Sequence, residues 1–162
     1  MKLQHANVLK KVPLLCAILL ATVVVSAQGQ SLSHRITAQI PFDFTIGDQK
    51  LPSGKYSVGR VRQNSDDLVL SVDDQNGRSK ALHTSIPVRN LDLTDKATLV
   101  FHRYGDQYFL YQVWPAGTTT GRQFPKSRSE RELQQTLASI PAAGKLNGDL
   151  SIKIVKVTAI SR

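Results

Sequence analysis

The chain has 162 residues, 41% of them hydrophobic and 20% charged. That balance fits one globular domain and excludes both a disordered tail and a many-pass membrane protein. Lys+Arg 21 against Asp+Glu 12 gives a net charge of +9, and a single Cys excludes a disulfide framework and every multi-cysteine metal site.

Lys2, Lys10 and Lys11 form a basic start, Val12 to Val25 is almost entirely apolar, and Val25-Ser26-Ala27 puts small residues where a signal peptidase reads. The pattern predicts a secretory signal peptide over 1–27, cleaved after Ala27. The apolar run falls short of the roughly 20 residues a membrane span needs. Leu15 stands before Cys16 where a lipid-attachment box wants a small residue, so lipidation is rejected. Residues 28–162 are then one exported domain, periplasmic or extracellular, with no transmembrane segment. It has no cysteine and must be held by its core alone, although disulfides form in that compartment. A basic exported protein meets anionic envelope polymers and lipid head groups first; plain solubility is the competing reason for the charge.

From Arg35 to Phe44, Ile36, Ala38, Ile40, Phe42 and Phe44 alternate with polar residues, which predicts a strand. Pro41 pushes it toward an edge or bulge. Gly47-Asp48 predicts a hairpin turn, and Leu51-Pro52-Ser53-Gly54 a type I turn. A strand over Lys55 to Arg62 follows, with Tyr56 and Val58 on one face and Gly59 at a bulge or close contact. Leu68, Leu70 and Val72 alternate before a turn at Asp74 to Gly77, and Arg78 to Val88 returns. A three-residue loop, Gln75-Asn76-Gly77 with Gly77 left-handed, pairs Leu70 with Leu82 and Leu68 with Thr84 and adds Ile86 to the apolar face. A two-residue loop pairs Leu70 with His83 and mixes the faces, so the first register is preferred.

Ala97 to Trp114 is the clearest hairpin, turning at Gly105-Asp106 and pairing Phe101 with Leu110, Val100 with Tyr111, His102 with Phe109 and Arg103 with Tyr108. Large apolar groups on both faces predict a central hairpin covered on two sides. Ala116 to Gly121 reads as a Gly/Thr-rich loop. Ser127 and Glu130 form a capping box, opening a helix near 127–139 with Leu133, Leu137 and Ile140 on one stripe. Leu150 to Ile160 is a last strand. The sum is a mainly β chain, a small antiparallel β-sandwich or barrel of seven to eight strands with one short late helix. Several strands are too short for an outer-membrane barrel.

Two blocks carry a resemblance. Ile40-Pro41-Phe42-Asp43-Phe44-Thr45-Ile46-Gly47 leads to Leu51-Pro52-Ser53-Gly54-Lys55-Tyr56-Ser57-Val58. Phe101-His102-Arg103-Tyr104-Gly105-Asp106 leads to Tyr108-Phe109-Leu110, Trp114, Gly121-Arg122, Pro125-Lys126-Ser127 and Glu130-Arg131-Glu132. Together, over about residues 36 to 132, they resemble a family of small exported bacterial β-rich proteins of unknown function, which implies a fold but no activity. The Leu-Pro-x-Gly-x-Tyr piece alone is similar to a turn-into-strand in transthyretin-like and Cna-B-like sandwich modules.

Motifs for catalysis are missing: there is no Gly-x-Ser-x-Gly and no His-Glu-x-x-His. Residues 28–162 hold three histidines, His34, His83 and His102; His83 and His102 fall inside predicted hairpins, where ordinary sheet histidines sit, so no metal or other cofactor is expected. Asp73 to Gly77 lacks the first Asp and the last Glu of a calcium loop. Gly117 to Arg122 lacks the spacing, Lys and Ser/Thr of a phosphate loop. Among candidate acid–base groups, Asp43 should point away from its Phe neighbours, Glu130 is explained by capping and Asp106 by its turn, and Glu132 is a candidate by type only. No enzyme is expected, and no nucleic-acid-reading motif occurs.

The remaining lead is a concentration of basic and aromatic residues. Arg103, Tyr104, Tyr108, Tyr111 and Trp114 share a hairpin, and Arg122, Lys126, Arg128 and Arg131 follow. Arg with Tyr or Trp suits stacking on sugar rings or flat ligands and contact with phosphate or carboxylate. The competing reading makes the aromatics core, with Arg103 crossing Tyr108. The expectation is a non-catalytic exported domain that binds or decorates an anionic envelope or matrix polymer, or another envelope protein, through residues 122–131. The alternative is a carrier with a cavity for a hydrophobic ligand.

Overall fold

A computed structural model describes residues 35–61, 68–139 and 152–161. The chain divides into Met1–Ser31 and Leu32–Arg162, and every described residue belongs to the second unit. The signal-peptide reading and Ile140 of the helix stripe lie outside the described residues. Among those residues no helix is long and apolar enough to cross a membrane.

The strands are β1 (Ile36–Ile40), β2 (Phe44–Ile46), β3 (Gln49–Leu51), β4 (Gly54–Arg60), β5 (Val69–Asp74), β6 (Ser79–Thr84), β7 (Ile86–Thr94), β8 (Thr98–Tyr104), β9 (Gln107–Trp114), β10 (Thr118–Gln123), β11 (Lys153–Thr158) and β12 (Ile160–Ser161); one helix, α1, spans Arg128–Ser139. They form a sandwich of two sheets. The first has the order β12-β1-β4-β5-β6, the second β11-β8-β9-β10-β7, with β2 parallel to β9 and β3 beside β2. The sheets do not close into a barrel.

More strands form than the sequence predicts, for a specific reason. Three predicted strands each break where the chain passes from one sheet to the other: β1 to β2 at Pro41-Phe42-Asp43, β6 to β7 at Ser85, and β11 to β12 at Ala159. Strands that switch sheets make the corners of such folds. Each corner is tied. Asp43 Oδ1 accepts the Ser53 N–H at 2.8 Å. The Ser85 N–H donates to the Leu68 carbonyl at 2.6 Å, and the Ala159 N–H to the Ala97 carbonyl at 2.7 Å.

Alternation then places one set of side chains between the sheets. Ile36, Ile40, Val58, Leu70 and Val72 meet Phe44, Ile46, Leu99, Phe101 and Val113, all buried. Each such side chain contributes roughly 1.5–3 kcal/mol by leaving water. The Phe44 ring meets Tyr56 edge-on at 5.2 Å and Phe101 at 5.6 Å, and so bridges the sheets. Tyr56 emerges from the Pro52 turn and its hydroxyl donates back to the Pro52 carbonyl at 2.9 Å. That bond gives the Leu-Pro-x-Gly-x-Tyr run a physical purpose: the turn is fastened to the strand it starts. Burial, first, and then the charges of Asp74 and Asp43 push the Tyr56 phenol up.

Gly47 has φ +56 in a two-residue turn, and Ile46 pairs Gln49 as expected. The Gln75-Asn76-Gly77 loop also forms, with Gly77 at φ 73 and the Asp74 N–H donating to the Arg78 carbonyl at 2.9 Å. The register beyond it is a correction. A bulge between Val72 and Asp73 shifts the pairing by one, so Leu70 faces His83 and Ser71 faces Leu82. Ala81 is buried and Leu82 is 55% exposed. Ile86 is exposed too, because it lies past the corner at Ser85 and in the other sheet.

The β8–β9 hairpin pairs Phe101 with Leu110, His102 with Phe109 and Arg103 with Tyr108 as predicted, and then a bulge moves Val100 to Gln112 in place of Tyr111. The bulge turns Val113 into the core, where it is fully buried. Residues 118–121 belong to β10 and not to a loop. Two-sided burial of the hairpin holds: Phe101 and Leu110 join the core between the sheets, while Val100, His102, Tyr104 and Phe109 are buried on the opposite side.

Candidate functional site

The outer face of the second sheet carries three of the four aromatic residues singled out above, Tyr104, Tyr111 and Trp114. At one end His102 Nδ1 lies 2.7 Å from Glu130 Oε1, and the Tyr104 hydroxyl donates to the same oxygen at 3.0 Å. All three residues are buried. Tyr111 stacks on His102 with centroids 3.8 Å apart, and Tyr104 meets Phe109 edge-on. Burial, first, and then the Glu130 charge hold the Tyr104 phenol well above its ordinary range.

The capping box is therefore half formed. The Glu130 N–H donates to Ser127 Oγ at 3.0 Å, as an N-cap requires, but the Glu130 carboxylate turns to the sheet and latches α1 onto β8. Capping does not explain Glu130, and His102 is no ordinary sheet histidine. A buried carboxylate needs partners; the sequence shows Glu130 as a capping residue and nothing reveals that His102 and Tyr104 stand beneath it.

Farther along the same face, Trp114 lies across Gly121 on the neighbouring strand. A Cβ at Gly121 would stand 2.6 Å from Cδ2 of the indole. Trp114 Nε1–H donates to Gln112 Oε1 at 3.0 Å, and Gln112 Nε2 donates to Gln123 Oε1 at 2.9 Å. Trp114, Gln112, Gln123 and Tyr111 are all half-buried. Gln112, Gln123 and Gly121 escape a reading by residue type, because the β9 bulge decides which face they occupy.

The candidate residues separate into three groups. Tyr111 and Trp114 share this face. Tyr104 also lies on this side of the sheet but is sealed at 3% exposure, and it serves the Glu130 latch instead of a ligand. Tyr108 belongs to the sandwich edge, stacked on Phe42 with centroids 3.8 Å apart, and Arg103 sits 5.4 Å over its ring, as the cross-strand reading expects.

Among the predicted contact cations, Arg122 is a correction. It is 6% exposed, because it pairs Val113 on the inward side of the sheet. Its Nε donates to Ser85 Oγ at 3.1 Å and its Nη2 to the Ser85 carbonyl at 2.9 Å. It clamps a corner of the sandwich. Lys126 Nζ donates to Gln134 Oε1 at 3.0 Å. Arg128 is exposed and donates to Glu132 Oε1 at 2.7 Å, so Glu132 has an ion-pair role.

Compared with known proteins, the chain matches no family model, no curated protein and no solved structure. Among the described residues no three or more His, Cys, Asp or Glu stand together as a metal-ligand set. The buried Glu130 oxygen is engaged by two partners, which suits anchoring. The Trp114 strip is different: a fixed ring and a directed run of amides on a half-open face suit contact with another molecule.

Proposed function

We propose that the chain is an exported, non-catalytic β-sandwich that binds an envelope or extracellular-matrix component. Its resemblance to small exported bacterial β-rich proteins and its basic, apolar and small-residue leader pattern support export. One observation carries the binding role: a sheet whose inner face closes the core keeps Tyr111, Gln112, Trp114 and Gln123 half-exposed on its outer face. Lys126 and Arg128, at the start of α1, add positive charge suited to an anionic polymer. The carrier alternative would need a cavity between the sheets, where Ile40, Phe44 and Phe101 are buried.

The test is co-sedimentation of purified protein with isolated bacterial envelopes. Wild type should sediment, and the double variant Lys126→Glu, Arg128→Glu should sediment several-fold less in low salt, where exposed charges act at longest range. Failure of the wild type to sediment rejects the binding reading. Equal sedimentation of the variant removes the electrostatic contact from it.

A further inference from the structure

We infer that the Trp114 strip is a saccharide-binding platform, with the indole as the stacking surface and the Gln112 and Gln123 amides as partners for sugar hydroxyls. This rests on the binding-module reading and names its ligand class. Three fused-ring atoms of Trp114, Cδ2, Cε3 and Cε2, lie 2.6, 2.7 and 2.9 Å from where a Gly121 Cβ would stand. So many ring atoms at near-equal distance mean that the indole rests its face, and not its edge, on the glycine backbone. Only glycine leaves room for that. One face of the ring is used against the sheet, and the opposite face is left for a second flat, weakly polar surface such as the C–H face of a pyranose.

The ring is also held in the plane. Its Nε1–H donates to Gln112, and Gln112 in turn donates to Gln123. The run of bonds has a direction, so each amide's orientation is fixed by the one before it. It ends on the Gln123 amide nitrogen, whose hydrogens have no partner among the described residues. Amide donors and acceptors beside an immobilised aromatic ring match alternating hydroxyls and C–H faces, which is sugar chemistry. Such preorganisation also lowers the entropy cost of binding. An acyl chain or apolar peptide would want a contiguous hydrophobic surface, and amides stand there instead. A glycine covered by an aromatic ring also stabilises a sheet by itself, so the test must read binding apart from folding.

Trp114 is the only tryptophan in the chain, and its emission reports the platform directly. Purified full chain is titrated with cellohexaose and with chitohexaose. A saturable change in Trp114 emission is expected with at least one of them. Gln123→Ala keeps the indole and its stack, and should weaken binding about tenfold at unchanged melting temperature, the scale of one lost hydrogen bond. Trp114→Leu, read by calorimetry, should abolish binding. No saturable response to either sugar, or equal affinity in Gln123→Ala and wild type, overturns the proposal. If wild type and Trp114→Leu then sediment equally with envelopes, the saccharide assignment fails while the binding-module reading stands.

Discussion

Glu130 shows how one buried carboxylate organises its surroundings. Its Oε1 receives the Tyr104 hydroxyl and faces His102 Nδ1, so helix and sheet share a single acceptor. Tyr104→Phe removes one donor and leaves the buried oxygen less satisfied. A loss of about 1.5–3 kcal/mol is expected, the usual range for a hydrogen bond to a charged group, measured by urea unfolding at neutral pH. The phenol adds a pH dependence. Its pKa in the fold is raised, by burial first and then by Glu130, above the ordinary value of about 10. The stability it contributes is fully present below that ordinary value and is lost as pH rises through the raised one. Unfolding midpoints followed from pH 8 upward should therefore decline at the alkaline end in wild type and decline less in Tyr104→Phe.

At the scale of elements, bulges and caps do what periodicity cannot report. Strict alternation along β9 sends Leu110 inward, Tyr111 outward, Gln112 inward and Val113 outward. The bulge opposite Val100 lets two neighbours share the outer side, so Tyr111 and Gln112 both face out and Val113 is fully buried. The bulge at Val72/Asp73 has the same effect on Leu82, which faces outward while Ala81 turns inward. The start of α1 is simpler. Ser127 Oγ accepts the Glu130 N–H, and Ser127→Ala should lower stability by about 1 kcal/mol. A smaller loss, read from the thermal midpoint, would mean that the Glu130 latch alone holds the first turn.

For the whole molecule, the decisive contacts run between the sheets. Phe44 enters the second sheet directly after the Pro41-Phe42-Asp43 corner and touches Tyr56 from the first sheet and Phe101 from the second. Phe44→Ala should cost about 3–5 kcal/mol, measured by denaturant unfolding, and is the variant most able to unfold the sandwich. The proposed binding surface belongs to this scale as well. The described core residues lie on the inner faces, so the proposed partner would meet an outer face or an edge. The half-exposed aromatic and amide residues of the second sheet are the outer surface whose chemistry suits that contact.

Sequence alone determined the β class, the position of α1, the turns at Gly47, Gly77 and Gly105, and the pairing of Arg103 with Tyr108. All of these depend on local conformation: positive-φ glycines, a Ser N-cap and period-two alternation act over a few residues. Only the tertiary structure decided where the chain leaves one sheet for the other, since β1 and β2, or β6 and β7, alternate as one run across their corners. It also decided the fate of Arg122 and Glu130. A basic residue in a polar stretch and an acid at a helix start look like surface groups in sequence. Arg122 is instead drawn to Ser85, 37 residues away, and Glu130 to His102, 28 residues away. The Trp114 strip was legible in its aromatic member and hidden in its amides, because a bulge leaves no trace in residue type.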